Sequence, residues 1–169
     1  MFKKGEFVVC GSRGVCTVED ISKLTMSCAD KEQEYYILKP LYTAGSTVYM
    51  PVDGDQESVR KVLSHEEADA LIRELDSIPV ISSPSDKLLE QEYRGCMRTG
   101  RCKEWVRILK TTYQRKCRRQ EMGRKVTAVD AKYSRIAQES LFGELSVALD
   151  IPREQVACYI EKMIKKCLA

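Results

Sequence analysis

The chain has 169 residues, 43% of them hydrophobic and 31% charged, which is enough to bury one core or two small ones. No apolar run reaches the roughly 18 to 20 residues of a membrane span, and the opening MFKKGEFVVCGSRG holds no apolar segment of signal-peptide length, so the expectation is a cytoplasmic protein without membrane contact. The net charge of +3 hides a partition, because residues 94–135 carry 14 Lys+Arg against only Glu104, Glu121 and Asp130, whereas the stretches on either side are net acidic. A chain segregated in this way is built to meet a polyanion with one region only.

In chain order, Phe7 to Val9 and Val15 to Ile21 are apolar and β-branched runs split by Gly11 and Gly14, which predicts two strands around a tight turn. EYYILK (Glu34 to Lys39) and STVYMPV (Ser46 to Val52) form a second such pair across PLYTAG. Strands this short need closure or a covering helix, so the expected form is a small, bent, barrel-like antiparallel sheet. Ser64-His65-Glu66-Glu67 reads as a capping box that opens a helix over 65–76, with Ala68, Leu71, Ile72 and Leu75 at helical spacing to close the sheet. SIPVISSPS, residues 77–85, has two prolines and four serines and reads as a linker.

Beyond it the pattern is helical throughout. Helices are expected over 86–98, 102–120, 128–149 and 152–168, with Thr127 to Asp130 as a second capping box and Asp150 or Ile151 opening the last helix. Two apolar stripes of period 3.6 predict a bundle of four helices. The fold class is therefore α+β: a small antiparallel β domain over 1–76, a linker over 77–85 and an all-α domain over 86–169.

The chemistry is not that of an enzyme. No phosphate-binding loop and no Gly-x-Ser-x-Gly elbow occur, and the single histidine, His65, sits at a helix start with no nucleophile to serve. Eight scattered cysteines without a Cys-x-x-Cys pair predict reduced thiols and neither a metal nor another cofactor. The basic segment is the feature that points to function. Arg94, Arg98 and Arg101 share a helix face and its end, Lys103, Arg107 and Lys110 repeat the spacing on the next helix, and Arg115, Lys116, Arg118, Arg119, Arg124 and Lys125 follow. Each phosphate neutralised by such a side chain releases counterions, which gives salt-dependent affinity with little base preference. Trp105 lies among Val106, Ile108, Leu109 and Thr112 and reads as core, anchoring the helix that presents those charges.

The order of parts, FKKGEFVVCGSRGVCTVEDI, then EYYILK, then STVYMPVD, then the proline-rich stretch and a basic helical half ending in SLFGELSVAL, resembles the CarD-like regulators of bacterial transcription, the family of CarD, CdnL and the interaction domain of transcription-repair coupling factor. The resemblance implies a Tudor-like amino-terminal domain that docks by its sheet edge on the β subunit of RNA polymerase. It also implies a helical domain on double-stranded promoter DNA near the upstream edge of the bubble, and a change in open-complex stability. Carried over by position, the polymerase contacts are Leu24, Val48 and Tyr49, and the DNA contacts are Leu89, Arg94, Arg98, Arg101, Lys103 and Lys132. Leu24 and Tyr49 stand where well-known members carry arginines, and Leu89 stands where a tryptophan often props the minor groove, which implies a more apolar polymerase contact and a weaker wedge. The competing reading is an adaptor whose basic helices engage an acidic protein or RNA. A helix-turn-helix repressor fits less well, because the cations are spread over several helices. A monomer is expected, since both domains can bury their own cores.

Overall fold

Glycine and short β-branched runs dictate the first half of the fold. In the computed structural model, which describes residues 1–27, 31–54 and 59–169, the strands are β1 (Phe7–Cys10), β2 (Val15–Lys23), β3 (Glu34–Pro40), β4 (Val48–Pro51) and β5 (Val59–Lys61), all antiparallel in the order β4-β3-β2-β1-β5. Between β1 and β2 the chain makes one 3-10 turn and then reverses at Gly14, whose φ of 76° and ψ of -150° suit glycine alone. A bulge at Glu19 shifts the β2–β3 register between Val18 and Asp20 and bends the sheet. The sheet's core cluster is Val8, Cys10, Cys16, Val18, Tyr36, Leu38, Val52 and Val59, and Phe2 packs edge-on against Tyr36 with ring centroids 5.6 Å apart. The four-strand expectation missed β5, because three residues, Val-Arg-Lys, are too few to show an alternation.

The second half is α1 (His65–Glu74), α2 (Asp86–Thr99), α3 (Cys102–Glu121), α4 (Ala128–Leu149) and α5 (Arg153–Cys167). Both halves of the Ser64–Glu67 capping box are made: the Glu67 N–H donates to Ser64 Oγ at 3.1 Å and the Ser64 N–H to Glu67 Oε2 at 2.8 Å. Thr127 makes only its own half, accepting from the Asp130 N–H, because the Asp130 carboxylate is committed elsewhere. Asp150 ends α4 in a left-handed conformation (φ 52°) instead of opening α5, whose N-cap is Pro152. The central helix is α4, buried continuously from Ser140 to Leu145, with α1, α2, α3 and α5 all packed on it.

The chain divides into compact units at Met1–Val62 and Leu63–Ala169, so α1 belongs with the helices and not with the sheet. The bundle accordingly has five helices instead of four. The stretch expected to be a linker is held down within the helical unit. Lys110, 3% exposed, donates from its ammonium to the carbonyls of Leu75 (2.9 Å), Asp76 (3.2 Å) and Ile78 (2.6 Å), and the Ile81 N–H donates to Thr111 Oγ1 at 2.8 Å. A proline-rich segment cannot satisfy its own carbonyls by helix formation, so a buried lysine does it from α3.

The seven described cysteines form no disulfide; Cys28 lies outside the described residues. Burial pushes the Cys16 thiol up to about 12, helped by Cys10 nearby, and burial together with the Glu104 carboxylate, 3.0 Å from its sulfur, pushes Cys96 up to about 12. Thiols held neutral in the folded state stabilise it fully below the ordinary value of 9.0, and that stability is lost as pH rises from there towards 12. Urea midpoints are therefore expected to stay level from about pH 7.5 to 8.5 and to fall above about 9, with Cys16→Ala and Cys96→Ala flattening the fall.

Candidate functional site: a sheet edge and a set of free cations

The sheet has two edges, and their chemistry differs. At β5 the edge carries Arg60 and Lys61, charges of the kind that discourage pairing with another strand. At β4 the edge is Val-Tyr-Met-Pro, uncharged and, among the described residues, with no strand paired on its outer side. The Val52 N–H donates to the Glu34 carbonyl at 2.9 Å, so by strand alternation Met50 and Val48 also bond inward to β3, while Tyr49 turns its N–H and C=O outward. Pro51 has no N–H to offer, and its carbonyl accepts from the Gly54 N–H at 3.1 Å, which closes that end of the edge. The usable edge is short and centred on Tyr49, whose side chain is 42% exposed.

Of the three residues predicted on this face, Tyr49 is the one the edge presents. The half-buried Val48 turns its side chain to the core. Leu24 follows the last residue of β2, two strands in from β4 and four rungs further along, about 16 Å from Tyr49 by sheet spacing, so the structure does not bring the two together.

In the helical unit many of the cations are neutralised internally. Arg115 donates from Nε to Asp130 Oδ2 (2.8 Å) and from Nη2 to Asp86 Oδ1 (2.9 Å), while Tyr93 Oη donates to Asp130 Oδ1 (2.8 Å); one buried carboxylate thus ties α2, α3 and α4 together. Burial and the Asp130 carboxylate push the Tyr93 hydroxyl pKa well above its ordinary value. Arg107 pairs with Glu104, Arg135 with Glu139, and Lys110 serves the carbonyls described above. Of the predicted contacts, Arg94 pairs with Glu90 at 3.0 Å and donates to Tyr133 Oη at 3.4 Å, and Lys103 pairs with Glu74 of α1 at 2.6 Å. Lys132 lies over the Tyr133 ring, 5.2 Å from its centroid, so Arg94 and Lys132 gather around one tyrosine. Among the described residues, Arg98, Arg101, Lys116, Arg118, Arg124, Lys125 and Lys132 are exposed with no acidic partner. They concentrate at the two ends of α3, a helix about 30 Å long. The cluster at its carboxyl end, where Arg119 Nε donates to the Lys125 carbonyl at 2.6 Å and orders the turn, was visible as a charge run but not chosen as a site.

Leu89 corrects the wedge expectation. It is 4% exposed, on the buried face of α2 with Tyr93, Cys96 and Met97, and it cannot leave that core to enter a base step. The neighbouring Leu88 is 44% exposed. Leu89→Ala is expected to cost about 2–5 kcal/mol in chemical denaturation and Leu88→Ala less than about 0.5 kcal/mol.

Residues 2–63 match the family described as CarD-like/TRCF RID domain, a span that coincides with the five-stranded unit. The chain carries a CarD-like domain. Comparison with curated proteins finds no match. The match supports a transcription-associated protein whose amino-terminal unit interacts with the RNA polymerase β subunit. Among the described residues no helix is long and apolar enough to cross a membrane.

Proposed function

We propose that the chain is a non-enzymatic transcription regulator that adds a strand of the polymerase β subunit to β4 and rests the free cations of its helical unit on promoter DNA, altering open-complex stability. The observation that carries the reading is the β4 edge, uncharged and unpaired among the described residues, on a CarD-like sheet whose opposite edge is charged. Strand addition draws its affinity from main-chain hydrogen bonds, so the exposed Tyr49 N–H and C=O matter as much as the ring. The DNA half of the proposal is supported by the surplus of unpaired cations on the helical unit. With Leu89 in the core, binding is dominated by phosphates, and Leu88 is the apolar side chain available in that turn.

The test separates backbone from side chain. Tyr49→Pro removes the outward N–H at an edge position where proline is tolerated, whereas Tyr49→Ala keeps it. In β-subunit pull-down, Tyr49→Pro is expected to lose capture and Tyr49→Ala to retain a weakened signal, with both variants folded by circular dichroism. Undiminished capture by Tyr49→Pro rules out strand addition at β4. In vitro transcription from a promoter with an unstable bubble, with and without the protein, then reads the sign of the effect on open-complex lifetime.

A further inference from the structure

Away from the sheet edge and the predicted DNA contacts, α3, α4 and α5 enclose a groove of about 410 Å³. Its floor is apolar, formed by Leu109, Phe142 and Ile164, all at most 5% exposed. Its rim carries three cations from three different helices, Lys116 of α3, Arg135 of α4 and Lys165 of α5. Among the described residues neither lysine has an acidic partner, and Arg135 has only the solvent-exposed Glu139 at 3.4 Å. A volume within about 300–1,000 Å³, an apolar floor and a few convergent polar groups are the attributes of a small-molecule site.

We infer that this groove binds a nucleoside di- or triphosphate, with the phosphates on Lys116, Arg135 and Lys165 and the base on the apolar floor. The convergence of cations favours this class. Lys116, Arg135 and Lys165 reach the rim from three helices, and of the two lining carboxylates Asp130 is held by Arg115 and Tyr93, so several donors are available to a multiply charged phosphate chain. Tyr113, half-buried in the wall, offers a ring for base stacking. Gln138 has a side-chain amide without a partner among the described residues, and Glu161 can accept from sugar hydroxyls. An acidic helix would find its charges matched at the rim but, at about 10–12 Å across with its side chains, is too wide to enter a recess of this size.

The proposal shares Lys116 with the free cations of the DNA reading, so it is tested on the full chain without DNA, by titration calorimetry with ADP, adenosine, inorganic pyrophosphate, oleate and a poly-glutamate peptide. ADP is expected to bind more tightly than adenosine or pyrophosphate. Lys116→Ala and Lys165→Ala are each expected to weaken it about tenfold, as for loss of one charge-assisted hydrogen bond. Ala131→Phe, at an exposed position in the groove wall, is expected to abolish binding with the fold intact, and Arg118→Ala, outside the groove, to leave it unchanged. The proposal is overturned if pyrophosphate binds as well as ADP and Arg118→Ala weakens it equally, which is plain charge adhesion. It is likewise overturned if oleate or poly-glutamate binds in a Lys165-dependent way while ADP does not, or if ADP shows no heat at millimolar concentration.

Discussion

Asp130→Ala is expected to destabilise the helical unit by about 3–5 kcal/mol, a large loss for one side chain. The carboxylate is 1% exposed and accepts from two side chains on two other helices, Tyr93 on α2 and Arg115 on α3. Removing it leaves a buried hydroxyl without an acceptor and a guanidinium, a quarter exposed, with only Asp86 to meet it. Tyr93→Phe, which deletes one neutral donor and leaves the ion pair, should cost about 1 kcal/mol, and the double variant should cost less than the sum of the two. Urea denaturation of the three variants at pH 7 measures this; additive losses would show that the three groups do not act as a network.

The second large effect is on nucleic acid. Replacing Arg98, Arg101, Arg118 and Arg124 together by alanine is expected to lower affinity for promoter DNA by about 10²–10³ near 100 mM salt and to reduce the slope of log affinity against log salt by up to about 3–4, roughly 0.9 for each phosphate that is no longer neutralised. All four are exposed and free of acidic partners among the described residues, so the fold should not change. By contrast, Arg94→Ala and Lys103→Ala remove charges already shared with Glu90 and Glu74 and should each have a smaller effect. Gel shifts at 50 and 200 mM salt decide the matter, and an unchanged slope in the quadruple variant would remove the DNA half of the proposed function.

Much of the architecture was legible in the sequence, because local chemistry wrote it there. The Ser64–Glu67 box, the apolar periodicity of α3 to α5 and the Gly11 and Gly14 punctuation each determine their own element, and the helix limits agree to within about two residues at each end. Trp105 was placed in the core by its neighbours and is fully buried. What sequence could not show is which charges are spent inside the molecule. Lys103, Arg107 and Lys110 share a helical spacing, yet Lys110 is buried against carbonyls that come from residues 75 to 78, and Arg107 is held by Glu104. Helical spacing shows which side chains share a face but not what packs against it. Leu89 misled for the same reason, because position by resemblance carried over a role and not the surroundings, which here are a core.

The ammonium of Lys110 has a practical consequence for dissecting the molecule. A fragment begun just after the proline-rich stretch, which composition alone recommends as the cut, would strip away the three carbonyl oxygens that accept from a buried ammonium and would bare the space that Leu71 and Leu75 occupy. Such a truncation should be insoluble or molten, whereas one begun at residue 63 keeps every acceptor and should behave as an autonomous folding piece.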